Sequence, residues 1–170
     1  MKRTRTTRLL LMGLAPLALT ACESAQEAQL YASAEECKSA GRLGAQECEV
    51  AYADAREAHE RVAPRYLRRE DCIADFGEEQ CSQARDGSSA FIPFMGGMLL
   101  GQALGHGGYG PQPVYKPRQG QWQLPGGGGL GKTTGDIRVK PSVVVPQTRA
   151  ITVSRAGFGS RAAARGSWGG

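Results

Sequence analysis

The stretch "FIPFMGGMLLGQALG", Phe91 to Gly105, decides how this chain is read. It is apolar from Phe91 to Leu104 and carries Gly97, Gly101 and Gly105 at four-residue spacing. On a helix those glycines would form one smooth groove that a second helix or a bilayer surface could approach closely. The run is too short to span a bilayer as a helix. The functional reading is therefore an interfacial or self-associating helix, with Phe91, Phe94, Gly97, Gly101 and Gly105 as its contact residues. The other reading is a collapsed, glycine-weakened segment packed on the cysteine-bearing residues before it.

Far upstream the chain begins "MKRTRTTRLLLMGLAPLALTAC". Four cationic residues precede an apolar run, Leu9 to Leu19, that is too short for a permanent span and reads as an export signal. Its end, Leu19-Thr20-Ala21-Cys22, looks like a bacterial lipobox, in which the Cys22 thiol receives a diacylglycerol, the peptide is cut before it and the new amine is acylated. Several acyl chains on one residue exceed the two signals that stable anchoring requires. The plain alternative is a secretory signal with an incidental cysteine.

Without Cys22, four cysteines remain: Cys37, Cys48, Cys72 and Cys81. An even count in an exported chain argues for disulfides, and four cysteines allow three pairings. "YASAEEC" (Tyr31 to Cys37) and "YLRREDC" (Tyr66 to Cys72) share a Tyr, a five-residue spacer ending in an acidic pair, and a Cys. Each is followed by a short segment ending in a second Cys, "AQEC" or "EEQC", so the chain repeats itself between Tyr31 and Tyr66, a period of 35. Two copies of one unit most simply close two copies of one bridge, which favours Cys37–Cys48 and Cys72–Cys81. Metal binding fits poorly, because the spacings are not C-x₂₋₄-C and no His lies close by, and the absence of C-x-x-C argues against a redox pair.

Local signals in this half predict helices. Ser33 with Glu36 reads as a capping box, and Gly41 and Gly44 end the helix that carries Cys37. Cys48, Ala51, Ala55, Ala58 and Val62 form a narrow apolar stripe that stops before Pro64, with Glu57 and Arg61 as an i, i+4 pair outside it. A further helix spans about Arg69 to Asp75 and ends at Gly77. His59 lies off the stripe and reads as a solvated helix-face histidine, with no nucleophile in view for a catalytic role.

Downstream the material changes. Residues 22–86 hold 15 acids and 8 bases, whereas residues 87–170 hold 1 acid, 9 bases and 20 of the 24 glycines. With the signal removed, 17 Lys+Arg face 16 Asp+Glu, so the net charge of +5 shrinks to +1 and a nucleic-acid partner loses its main support. Prolines 111, 113, 117, 125, 141 and 146 interrupt any long element, and most of this half reads as disordered or extended. Ser142 to Val145 and Ala150 to Ser154 are its two strand-like runs. Gly126, Gly131, Lys132 and Thr133 match G-x-x-x-x-G-K-[ST], but Pro125 stands where a core strand should end and Gly135 and Pro141 come where a helix should start. The match reads as chance in a flexible linker rather than a nucleotide cofactor site.

The lipobox, the paired Tyr-x₅-Cys units, "REDCIADFGEEQC" (Arg69 to Cys81), "FIPFMGGMLLG" and "TVSRAGFG" (Thr152 to Gly159) resemble the uncharacterised YgiB family of proteobacterial lipoproteins. The resemblance covers most of the chain, which departs from the fuller pattern in a shorter stretch between Cys81 and Phe91 and an abbreviated tail. It implies no activity and no catalytic residue. It implies a pathway link to an ATP-grasp, glutathionylspermidine-synthase-like ligase, whose gene often neighbours those of members.

The fold expected from the sequence is a small, mostly α, disulfide-stabilised domain followed by a largely disordered Gly/Pro-rich tail. Its parts are a signal peptide (1–21), a tether (22–30), a cysteine-bearing helical domain with a two-fold repeat (31–86), the apolar glycine-rich segment (87–110) and a basic tail (111–170). The expected role is that of a lipid-anchored envelope protein, non-catalytic, without cofactor or metal, binding an envelope protein or polymer or acting structurally. The alternative is a membrane-active or self-associating protein, possible as a homo-oligomer, working through residues 91–105. Glu23 after Cys22, rather than Asp, favours the periplasmic face of the outer membrane.

Overall fold

The computed structural model describes residues 25–101 and 110–153. Along the chain come β1 (Gln26–Tyr31), α1 (Ala34–Ala40), α2 (Ala45–Val62), β2 (Arg65–Tyr66), α3 (Arg69–Phe76), β3 (Cys81–Gln83), β4 (Phe91–Pro93) and β5 (Gly97–Gly101). They are followed by β6 (Gln112–Val114), β7 (Trp122–Gln123), β8 (Gly129–Gly131), β9 (Gly135–Val139) and β10 (Thr152–Val153). The described strands form three sheets, ordered β6-β5-β1-β9, β10-β2-β4-β3 and β7-β8. The expectation of a mostly α domain with a disordered tail is therefore wrong.

The error starts at the stretch that decides the fold. Phe91 to Gly101 is not a helix but two strands that leave in different directions. β4 pairs with β2 and β3, whereas β5 lies antiparallel between β1 and β6. The β5 run is continuously apolar because its sheet is covered on both faces, a pattern that hides strand alternation. Met98 and Leu100 pack with Cys37, Cys48, Ala51 and Ala55 on the helical side. Leu99 packs on the other side with Ala28, Leu30, Val114, Trp122 and Leu124. Gly97 is required by close approach, since a Cβ there would lie 2.2 Å from the Tyr31 carbonyl oxygen. Gly97 is thus explained by backbone packing, and Gly97 and Gly101 are the two ends of a strand, not parts of a helical groove; Gly105 lies outside the described residues.

The helices follow their local signals. Ser33 Oγ accepts from Glu36 N–H at 3.1 Å, and Gly41 closes α1 in the left-handed region (φ 66°). The Glu47 carboxylate accepts from Gly44 N–H at 2.8 Å at the start of α2. The helix stops at Val62, where Pro64 permits no continuation. α3 ends at Gly77. Both bridges of the repeat are present: Cys37 is bonded to Cys48 and Cys72 to Cys81.

The glycine- and proline-rich half is built into these sheets. β9 pairs along β1 from Gln26↔Val139 to Leu30↔Gly135, and β10 runs parallel to β2. Of the two strand-like runs, Pro141–Val143 is a 3₁₀ turn, whereas Thr152–Val153 is extended. Many short strands held by hydrogen bonds to distant partners need no amphipathic period of their own, so composition concealed them. The residues from 154 onward, including Ser154 and the rest of "TVSRAGFG", lie outside the described part, as do residues 1–24 with the signal, Cys22 and Glu23.

Candidate functional site

The stripe of α2 that faces the fold is Cys48, Ala51, Ala55, His59 and Val62. His59, not Ala58, occupies the fourth place, and only 8 % of it is exposed. The solvated-histidine reading is overturned. Spacings of 3, 4, 4 and 3 are as helical as those through Ala58, so periodicity admits either residue, and only the general preference of histidine for water speaks for Ala58.

His59 Nδ1 is hydrogen-bonded to the Tyr115 hydroxyl at 2.9 Å. Tyr115 is fully buried, and its backbone exchanges hydrogen bonds with Gln123 at 2.8 and 2.9 Å. Its ring meets Phe76 edge-on at 6.2 Å, and Phe76 meets Tyr66 in the same way. Tyr66 donates to Asp75 Oδ2 at 2.8 Å. Burial lowers the pKa of His59 below its usual value; Glu60 opposes this shift, and Arg56 and Arg85 add to it. Burial, helped by the Glu60 charge, pushes the Tyr115 phenol far up. At neutral pH the pair is a neutral imidazole against a neutral phenol.

This pair lies beside a cleft of about 190 Å³. α2 contributes Tyr52, Arg56, His59 and Glu60, which recur at helical spacing. Ser82 and Arg85 come from β3 and the residues after it, and Ile92, Phe94 and Met95 from β4 and its exit. The cleft is lined by residues from both sides of residue 86, where the composition of the chain changes. With Nδ1 engaged by Tyr115, the ring atom left to serve a ligand is Nε2. No group of three His, Cys, Asp or Glu side chains gathers as metal ligands among the described residues.

A profile of the protein family of unknown function DUF1190 matches residues 25–169. The chain belongs to this family. A UPF0441 protein of Pectobacterium carotovorum is 33% identical over 193 residues, covering 98% of this chain and 86% of the relative. UPF0441 proteins of Klebsiella pneumoniae (33% over 173 residues) and Serratia proteamaculans (30% over 168 residues) each cover 85% of this chain and 76% of the relative. No solved structure matches. DUF1190 agrees with the resemblance to an uncharacterised proteobacterial family and carries no activity with it.

In this DUF1190 chain the residues singled out by sequence are scattered. Phe91 is half-buried in β4 opposite Tyr66, Gly97 faces the Tyr31 backbone, and Gly101 ends β5 opposite Ala28. Phe94 alone of that set reaches the cleft, and it is 48 % exposed. The stretch from Gly126 to Thr133 forms the turn and second strand of the β7–β8 hairpin and the start of the link to β9. There Leu124 N–H donates to Gly128 O and Gly127 N–H to Leu124 O. A strand, not a helix, comes after Lys132 and Thr133, so the strand–loop–helix geometry of a P-loop is not formed. Among the described residues no helix is long and apolar enough to cross a membrane.

Proposed function

We propose that this DUF1190 member is a lipid-anchored envelope protein whose folded residues serve as a non-catalytic binding module, with the His59 cleft as the binding feature. The observation that carries the reading is the cleft itself. A neutral imidazole fixed by Tyr115 sits among charged side chains from two elements and an apolar wall from a third. Such a mixture of convergent polar groups and apolar lining is what small-ligand sites present. The two bridges brace it, since Cys48 lies near the start of the helix that carries His59 and Cys81 opens the strand that carries Ser82. The anchor is argued from Leu19-Thr20-Ala21-Cys22, and placement in the outer membrane from Glu23. A self-associating helix over residues 91–105 is not carried forward, because Phe91 and Gly97 are committed to sheets.

Two measurements test the anchor. Metabolic labelling with a fatty-acid analogue is expected for the natural chain and lost in Cys22→Ser, and equal labelling of the two would remove the lipoprotein claim. Density fractionation of membranes is expected to place the labelled chain with outer-membrane material; recovery with the inner membrane would refute that placement.

A further inference from the structure

Arg56 and Arg85 come from different elements and line the same cleft as His59. Both are exposed, and neither joins an ion pair among the described residues. Against these two guanidiniums stands one carboxylate, Glu60, one turn along α2 from Arg56. With His59 neutral the cleft carries an excess of positive charge. Its other wall is apolar, with Ile92 buried, Met95 half-buried and Phe94 largely open to solvent. A guanidinium fork matches the planar carboxylate and can hold it through two parallel hydrogen bonds. A hydrated inorganic anion would use the arginines and leave the apolar wall wet. A purely apolar ligand would leave the arginines unanswered. The volume of about 190 Å³ is roughly six water volumes, room for a carboxylate and a short apolar group.

We propose that the cleft binds a carboxylate bearing a short apolar group, with Arg56 and Arg85 on the carboxylate, His59 as hydrogen-bonding partner, and Ile92, Phe94 and Met95 around the apolar group. This rests on the binding-module reading of the same cleft. Such a carboxylate could end an acyl chain or a peptide.

The test titrates the full chain, purified in nonionic detergent, with hexanoate, N-acetylleucine, hexylamine and hexanol while NMR follows the His59 ring. Millimolar affinity is expected for probes this small. Hexanoate or N-acetylleucine should shift the ring signals and raise the His59 pKa, because a bound anion favours the imidazolium. The tighter of the two identifies an acyl or a peptide source. Replacing Arg56→Gln with Arg85→Gln should weaken carboxylate binding by about tenfold or more and leave hexanol unaffected. Phe94→Ala should weaken hexanoate and leave acetate unchanged. Hexylamine or hexanol binding as tightly as hexanoate would overturn the carboxylate assignment and leave the binding module standing. If no probe moves His59 in a chain that keeps both disulfides and its unfolding transition, both readings fall.

Discussion

The two Tyr-x₅-Cys units begin alike and end differently. In each, a Tyr is the last residue of a strand, a short helix carries the first Cys, and a bridge closes on the second Cys, over 11 residues in the first unit and 9 in the second. In the first unit Cys48 lies near the start of an 18-residue helix, whereas Cys81 in the second opens a strand. Their partners come from one stretch in reversed order, with Tyr66 opposite Phe91 and Tyr31 opposite Met98. A local repeat therefore fixes the strand end, the helix and the bridge. The element after the second Cys is set instead by the surface that must be covered: α2 lies over β5, and β3 extends the sheet beside β4.

The largest effect expected from breaking this arrangement is at Gly97, where the first unit meets its partner strand. Gly97→Val places side-chain atoms against the Tyr31 carbonyl, which cannot yield without shifting β1, and should cost about 3 kcal/mol or more in urea unfolding. An unchanged midpoint would mean that β5 does not pair with β1 as described. Next come the bridges. Removing either pair as a double Cys→Ala change should cost about 2–3 kcal/mol, and the two should be nearly equal because the rings are of similar length. A much larger loss for Cys37 and Cys48 would show that packing against Met98 and Leu100 outweighs ring closure.

A finer comparison separates the two tyrosines. Tyr66→Phe removes a hydrogen bond to the Asp75 carboxylate and should cost about 1–2 kcal/mol. The Tyr31 hydroxyl has no hydrogen-bond partner among the described residues, so Tyr31→Phe should fall within about 0.5 kcal/mol of the natural chain. Equal losses would deny the units their different polar roles. The smallest effect is the pH response of His59. Its folded pKa lies below the unfolded 6.5, so the unfolded chain binds more protons as the pH falls through that value. Its contribution is complete above 6.5 and is lost progressively as the pH drops towards the depressed folded value. His59→Gln should flatten that part of the stability profile, and a profile that keeps its slope would assign the response to another group.

How much of this was legible depends on how local each signal is. Ser33, Gly41, Pro64 and Gly77 bound helices through their own backbone chemistry, and the 35-residue repeat pointed to the bridges. The strands were hidden because their cause is remote. Gly97 is glycine on account of Tyr31, and the Leu99 face is apolar on account of Trp122 and Leu124. The proline-rich half looked structureless because its strands are short and their partners lie as far back as Gln26. In the site, Arg56 and Arg85 carried no pattern that a sequence could reveal, since they meet only once β3 is folded beside α2. His59 was within reach of the periodicity.

β1 lies between β5 and β9, so the sixth residue of its run, Tyr31, waits for Met98 and its neighbour Leu30 for Gly135. A chain that emerges from its N-terminus exposes this strand, with both edges bare at first and one still bare until more than a hundred further residues have appeared. Both cysteine rings are complete by residue 81, well before that moment. Oxidation can therefore precede sheet assembly, leaving two stapled helical knots attached to an unpaired, β-prone strand. In the interval, the bare edges of that strand are open to pairing with a neighbouring chain.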